Sequence, residues 1–359
     1  MRPFKCSCGA RIFFDNTRCL ACKHELAFAP DFRRMVALEA LGEGRYRAAN
    51  GGDGIYVKCD NYAMHGVCNW VVDAQAGRSL CRACELNHVI PNLSNPENRE
   101  RWGRMEAAKR RLIYSLLELK LPFNSKIDDP ERGLAFDFKT NDGADGVVLT
   151  GHSDGLVTLR VEEADAVERE KARVTLKERY RSLLGHFRHE SGHYFFDVLL
   201  KDTAGLDRFR QLFGDERQDY TEALRKHYAA PPAHDPNRFV SSYAEAHPWE
   251  DWAETWAHYL HMVDTLETAE SFGVFPRHSS NFEELFAVWL ELTVVMNALN
   301  RSMGLDDAYP FQLGAGVKAK LAFVDEVVKT GAPRFAGPQL RAFAPGEVTF
   351  PQSGQLMSQ

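Results

Sequence analysis

The sequence predicts an α+β protein in which a head of small cysteine-held ribbons precedes a mostly helical body carrying a small β-meander. All eight cysteines of the 359-residue chain fall between Cys6 and Cys84, and none follows. Beyond Ser94-Asn95-Pro96 the apolar residues recur at helical spacing, interrupted only by short β-like runs. The composition, 44% hydrophobic and 26% charged, belongs to a globular chain long enough for two or three domains. A net charge of -6 leaves no basic surplus for a phosphate backbone, so nucleic acid is not an expected partner. The longest apolar candidate, Leu285 to Leu299, is interrupted by Glu291 and Asn297, which argues against a membrane span. The first cysteines arrive before any apolar signal core could form, so a cytoplasmic location is expected.

In a reducing compartment, closely spaced thiols point to metal rather than disulfides. Cys6, Cys8, Cys19 and Cys22 form a CxC followed by a CxxC; Cys59, Cys68, Cys81 and Cys84 are more loosely spaced but also close with CxxC. Four thiolates satisfy tetrahedral zinc, which predicts two structural zinc sites. Segments this short bury little apolar surface, and structural zinc contributes on the order of 10 kcal/mol to folding, so the metal acts as the core. The expected units are a ribbon over 1–28 and a second zinc-binding ribbon over 29–95, with strand-like runs at Gly54 to Cys59 and Asn69 to Asp73.

The body is expected over 96–340, followed by a flexible tail over 341–359. Asn95 caps and Pro96 opens a long helix with Trp102, Met105, Leu112, Leu116 and Leu119 on its buried face. Leu134 to Lys139, Val147 to Gly151 and Leu156 to Val161, separated by Asn141-Asp142-Gly143 and Ser153-Asp154-Gly155, read as the meander. Glu162 to Lys171 reads as a solvated helix start.

The chemistry lies in His189, Glu190 and His193, an HExxH motif in the apolar context of Leu183, Leu184, Phe187, Phe195, Val198 and Leu199. Residues four apart on a helix differ by ~40° in azimuth, so both histidines can hold one zinc while Glu190 faces the same cavity. Gly192 inside that helix suggests close approach by another element. Two imidazoles need a third protein ligand, leaving one position for water. Pro248 opens a helix on which Glu250 and Glu254 share a face: Glu250 is assigned to the metal and Glu254 to the hydrogen bond orienting His189. Asp251 and His258 are the substitutes. His186 and His152 read as packing or hydrogen-bonding residues, and His227, His234 and His278 as surface residues.

At these residues the chain resembles a family of bacterial zinc-binding metallopeptidases that joins N-terminal zinc ribbons to a gluzincin-type domain. The resemblance is carried by the CxC and CxxC head, CNWVV at Cys68 to Val72, YRSLLGHFRHESGHYFF at Tyr180 to Phe196 and HPWEDWAETWAHYLH at His247 to His261. The site pattern is also similar to that of lethal factor, with Tyr243 seven residues before Glu250, which implies a phenol that stabilises the tetrahedral oxyanion. The expected activity is zinc-dependent peptide hydrolysis with Glu190 as general base, on a peptide or protein substrate, with one catalytic and two structural zinc ions and a protein partner possible at the ribbons. The competing readings are an interaction protein with an inert body and a zinc hydrolase of a non-peptide amide.

Overall fold

The computed structural model describes residues 1–331 except 50, 52–53, 142–147, 149, 176–180, 231 and 276–280. Thus the Asn141-Asp142-Gly143 turn falls largely, and His278 and the tail over 341–359 entirely, outside the described residues. In the head, β1 (Phe4–Lys5) and β2 (Arg11–Ile12) pair antiparallel, and their connection carries Cys6 and Cys8. A five-stranded antiparallel sheet follows in chain order: β3 (Glu25–Ala29), β4 (Arg34–Gly42), β5 (Arg45–Ala48), β6 (Ile55–Lys58) and β7 (Val71–Asp73). Its ends meet, because Phe28 N–H donates to the Asn69 carbonyl at 2.8 Å and Phe28 bridges to Trp70, so the sheet curls on itself. The short helix α1 (Asp60–Ala63) starts directly after Cys59.

The expected meander is corrected. β8 (Asn87–Val89) leaves the head and pairs parallel with β9 (Ala135–Lys139), which pairs parallel with β11 (Leu156–Arg160) on its other edge; only β10 (Gly151–Ser153) and β11 form a hairpin. Ala135 to Phe138 are all buried, and a strand buried on both faces belongs at a sheet's centre rather than in a chain of hairpins. The β10–β11 turn is Asp154-Gly155, with φ of 48° and 80°, the left-handed pair that a two-residue hairpin demands.

The helices are α2 (Pro96–Glu118), α3 (Ala166–Thr175), α4 (Leu183–Leu199), α5 (Gly205–Phe213), α6 (Tyr220–Ala229), α7 (Pro248–Ser271), α8 (Phe282–Ser302) and α9 (Ala315–Gly331). Asn95 caps α2 by accepting from the Glu97 N–H at 3.1 Å. This helix seats the head on the body. Glu106 and Lys109 are fully buried and paired at 2.8 Å; Glu106 also accepts from Trp102 Nε1 at 3.1 Å and lies 3.8 Å from Cys84 Sγ. Arg110 donates to the Val67 carbonyl beside the second quartet. One apolar core, including Phe28, Trp70, Trp102, Phe136, Phe187, Trp252 and Val324, runs through head and body alike. No helix among the described residues is long and apolar enough to cross a membrane.

Candidate metal centres and active site

Each cysteine quartet converges: the four sulfurs of Cys6, Cys8, Cys19 and Cys22, and those of Cys59, Cys68, Cys81 and Cys84, lie within 4.8 Å of one another. All eight are free thiols, the second set fully enclosed. The sulfur–sulfur separations are 3.5 Å for Cys6 and Cys22, 3.7 Å for Cys8 and Cys19, and 3.7 Å for Cys68 and Cys81. A tetrahedron with Zn–S arms of ~2.3 Å has edges of ~3.8 Å, so both quartets fit zinc. Backbone N–H groups of Trp70 and Cys81 donate to the sulfurs of Cys68 and Cys59, each at 3.4 Å, which orients both sulfurs within the buried quartet.

The body site is built where α4 crosses α7. Ser182 caps α4, accepting from the Gly185 N–H at 3.0 Å, and His247 caps α7, its Nδ1 accepting from the Trp249 N–H at 3.1 Å. A Cβ on Gly192 would sit 2.9 Å from Ala253 Cα, so the two helices touch backbone to backbone there. Trp252 Nε1 donates to the Gly192 carbonyl at 2.8 Å, and Trp256 Nε1 to Ser191 Oγ at 3.1 Å, fixing the crossing.

This contact sets Glu250 opposite the two histidines. Glu250 Oε2 lies 3.1 Å from His189 Nε2 and 3.6 Å from His193 Nε2, and the three groups fall within 4.8 Å of one another. Zinc arms of ~2.0–2.1 Å to nitrogen and oxygen give edges near ~3.3 Å, so this donor set also fits zinc. Glu254 Oε1 lies 2.7 Å from His189 Nδ1, while its Oε2 accepts from Ser241 Oγ at 2.6 Å, which turns Nε2 toward the site. The substitutes are engaged elsewhere: Asp251 pairs with Lys320 at 2.5 Å, and His258 Nδ1 meets the Tyr309 hydroxyl at 2.7 Å.

Each central carboxylate has one oxygen held away from the centre. Glu250 Oε1 accepts from the Tyr220 hydroxyl at 2.5 Å, leaving Oε2 to face the two histidines, and Glu190 Oε1 lies 3.3 Å from His186 Nε2, leaving its Oε2 buried and unpartnered. His186 Nδ1 in turn meets Glu163 Oε2 at 2.8 Å, and Glu163 Oε1 accepts from Thr150 Oγ1 at 2.9 Å. Burial opposes charge throughout this chain, yet the His186 cation holds Glu163 down at about 2, and Glu163 and Glu190 raise His186 to about 9. Glu190 is also lowered against its burial, by the hydrogen bond from His186 and the neighbouring histidines.

His152 borders the site without ligating. Its ring stacks on His193 at 6.1 Å, and its Nε2 accepts from the Gly155 N–H at 3.0 Å. Burial, then the charge of His193, lowers it to about 4 and keeps it neutral. The Tyr243 ring lies 6.0 Å from that of His189, and burial raises its phenol, which stays a donor. His227 is half-buried with its ring 6.4 Å from Tyr243, and His234 meets Glu245 at 2.9 Å. Tyr220 and Ser241 give no signal in the sequence, and Glu163, expected in a solvated helix start, is instead buried in a turn before α3. They come from separate segments, and no spacing relative to HExxH points to them.

A family model described as "Putative zinc-binding metallo-peptidase" matches residues 98–327. The chain belongs to this family. A zinc-ribbon domain model matches residues 3–95, a span that includes both cysteine quartets. Relatives of the chain include uncharacterized proteins of Mycobacterium bovis and Mycobacterium tuberculosis, each 42% identical over 347 residues, covering 93% of this chain and 97% of theirs. No solved structure matches it.

Proposed function

We propose that the chain is a zinc-dependent peptidase of the cytoplasm, with one catalytic zinc in the body and two structural zincs in the head. The observation that carries this reading is the convergence of His189, His193 and Glu250 from two separate helices to within 4.8 Å, beside a Glu190 oxygen that is buried and unpartnered. Zinc held there would lower the pKa of a bound water toward ~7 and polarise the scissile carbonyl. Glu190 takes the attacking water's proton on Oε2, its other oxygen being held by His186, and delivers it to the leaving amine. The Tyr243 phenol, kept protonated by burial, donates to the developing oxyanion. Eight free thiols gathered in two quartets suit a reducing compartment.

The test is Glu190→Gln in the full chain. The variant keeps the wild-type zinc content and loses roughly 10²–10⁴-fold in hydrolysis of a mixed peptide library. Undiminished cleavage by that variant refutes the assignment.

A further inference from the structure

We infer that Tyr220 is a positioning residue for the body metal: its phenol occupies Oε1 of Glu250, so that Oε2 alone is offered to an ion shared with His189 and His193. The inference rests on the metal site proposed above. Tyr220 is the first residue of α6 and lies 30 residues before the carboxylate it meets, at 2.5 Å. Its placement is fixed from several sides. Asp219 caps α6 by accepting from the Glu222 N–H at 2.8 Å. The Tyr220 ring packs edge-on against His247 at 5.2 Å and tilted against Trp249 at 6.2 Å, both at the start of the helix that carries Glu250. His247 Nε2 also meets the Gln218 carbonyl at 3.2 Å, tying the approach to α6 to the start of α7.

The rest of α6 does not require this approach, since none of its residues is buried. The ring alone could be served by phenylalanine, so the hydroxyl is the part that needs a purpose. A carboxylate with both oxygens free can chelate a cation through both, filling the position that solvent needs. A donor on one oxygen favours single-oxygen ligation and fixes the carboxylate plane, the effect that outer partners have on metal ligands.

The experiment uses the full zinc-loaded chain and Tyr220→Phe, which keeps the ring contacts. In chelator competition the body zinc should bind ~10-fold or more weakly in the variant, while the cysteine-bound zinc and the far-ultraviolet circular dichroism stay unchanged, showing that the fold is intact. Cobalt(II), reloaded into the body site after selective removal of its zinc, should absorb more weakly in the visible in Tyr220→Phe as Glu250 becomes bidentate and coordination rises. Equal zinc affinity together with an unchanged cobalt spectrum overturns the inference. Neither readout needs a substrate. A chain that cuts no peptide but still loosens its body zinc on Tyr220→Phe would defeat the peptidase reading and support the tyrosine's role.

Discussion

Gly192→Ala probes the contact on which the body site depends. The added methyl would stand 2.9 Å from Ala253 Cα and 3.2 Å from both Cβ and Cδ1 of Trp256, where carbon–carbon contacts settle at ~3.5–4.0 Å. Helix backbone cannot swing aside as a flexible side chain can, so α4 and α7 must part by roughly half an ångström or more. Overpacking of this kind costs ~1–3 kcal/mol, against which alanine recovers up to ~1 kcal/mol of helix propensity. Gly103→Ala in α2 isolates the propensity effect, because its methyl would meet nothing nearer than Val67 Cγ1 at 3.5 Å, an ordinary contact. Gly103→Ala should therefore stabilise the chain by up to ~1 kcal/mol, and Gly192→Ala should fall ~1–3 kcal/mol below it in parallel urea melts. Glu250 precedes Ala253 by less than one turn, so the same displacement should loosen the body zinc in Gly192→Ala, measured by chelator competition. Equal stability of the two variants with equal zinc retention would show that the crossing is not close-packed as described.

Glu254→Gln should weaken the body zinc ~10–100-fold through loss of the carboxylate on His189 Nδ1, while the cysteine sites keep their metal; unchanged affinity would remove Glu254 from the metal's support. Glu106→Ala removes the carboxylate paired with Lys109 in a fully buried position and leaves its ammonium only the Asn87 side-chain oxygen, so it should cost ~3–5 kcal/mol in a denaturant melt, and a loss below ~1 kcal/mol would contradict that burial. The His186–Glu163 pair has a pH signature. His186 is raised from 6.5 to about 9, so its contribution is complete below pH 6.5 and disappears as pH rises through 9; Glu163 is lowered from 4.5 to about 2, so its contribution is complete above 4.5 and disappears as pH falls through 2. The wild type should thus lose on the order of 3 kcal/mol more than His186→Gln between pH 6.5 and 9, read as a steeper fall in Tm, and parallel slopes would speak against the pair.

The site was legible where chemistry is written at helical spacing. HExxH places His189 and His193 on one face, and Pro248 with Glu250 and Glu254 does the same for the partner helix, because a fixed rise and turn convert sequence distance into direction. Tyr220, Glu163 and Ser241 reach the site through chain reversals that leave no periodic trace. The sheets show the same division. Strands β6 and β7 fall in the expected runs, but β3 to β5 were not anticipated: Leu26 to Ala29 are all buried, so they do not alternate, and Pro30 reads as a break. The parallel pairing of β9 depends on partners at Asn87 and Leu156, far apart in sequence, which turn residues cannot report. The apolar core likewise runs across the division expected near residue 95, because α2 is the floor of the second quartet as well as part of the body.

The strand that β8 lends to the body's sheet bears on how the body could be excised. A fragment beginning at Pro96 would retain each proposed body ligand yet bare one flank of β9, where Phe136 and Phe138 sit beside backbone amides and carbonyls that had paired with Asn87 and Val89. Such an exposed apolar edge templates strand addition. The truncated chain should aggregate on light scattering, and a cut placed before β8 should relieve it.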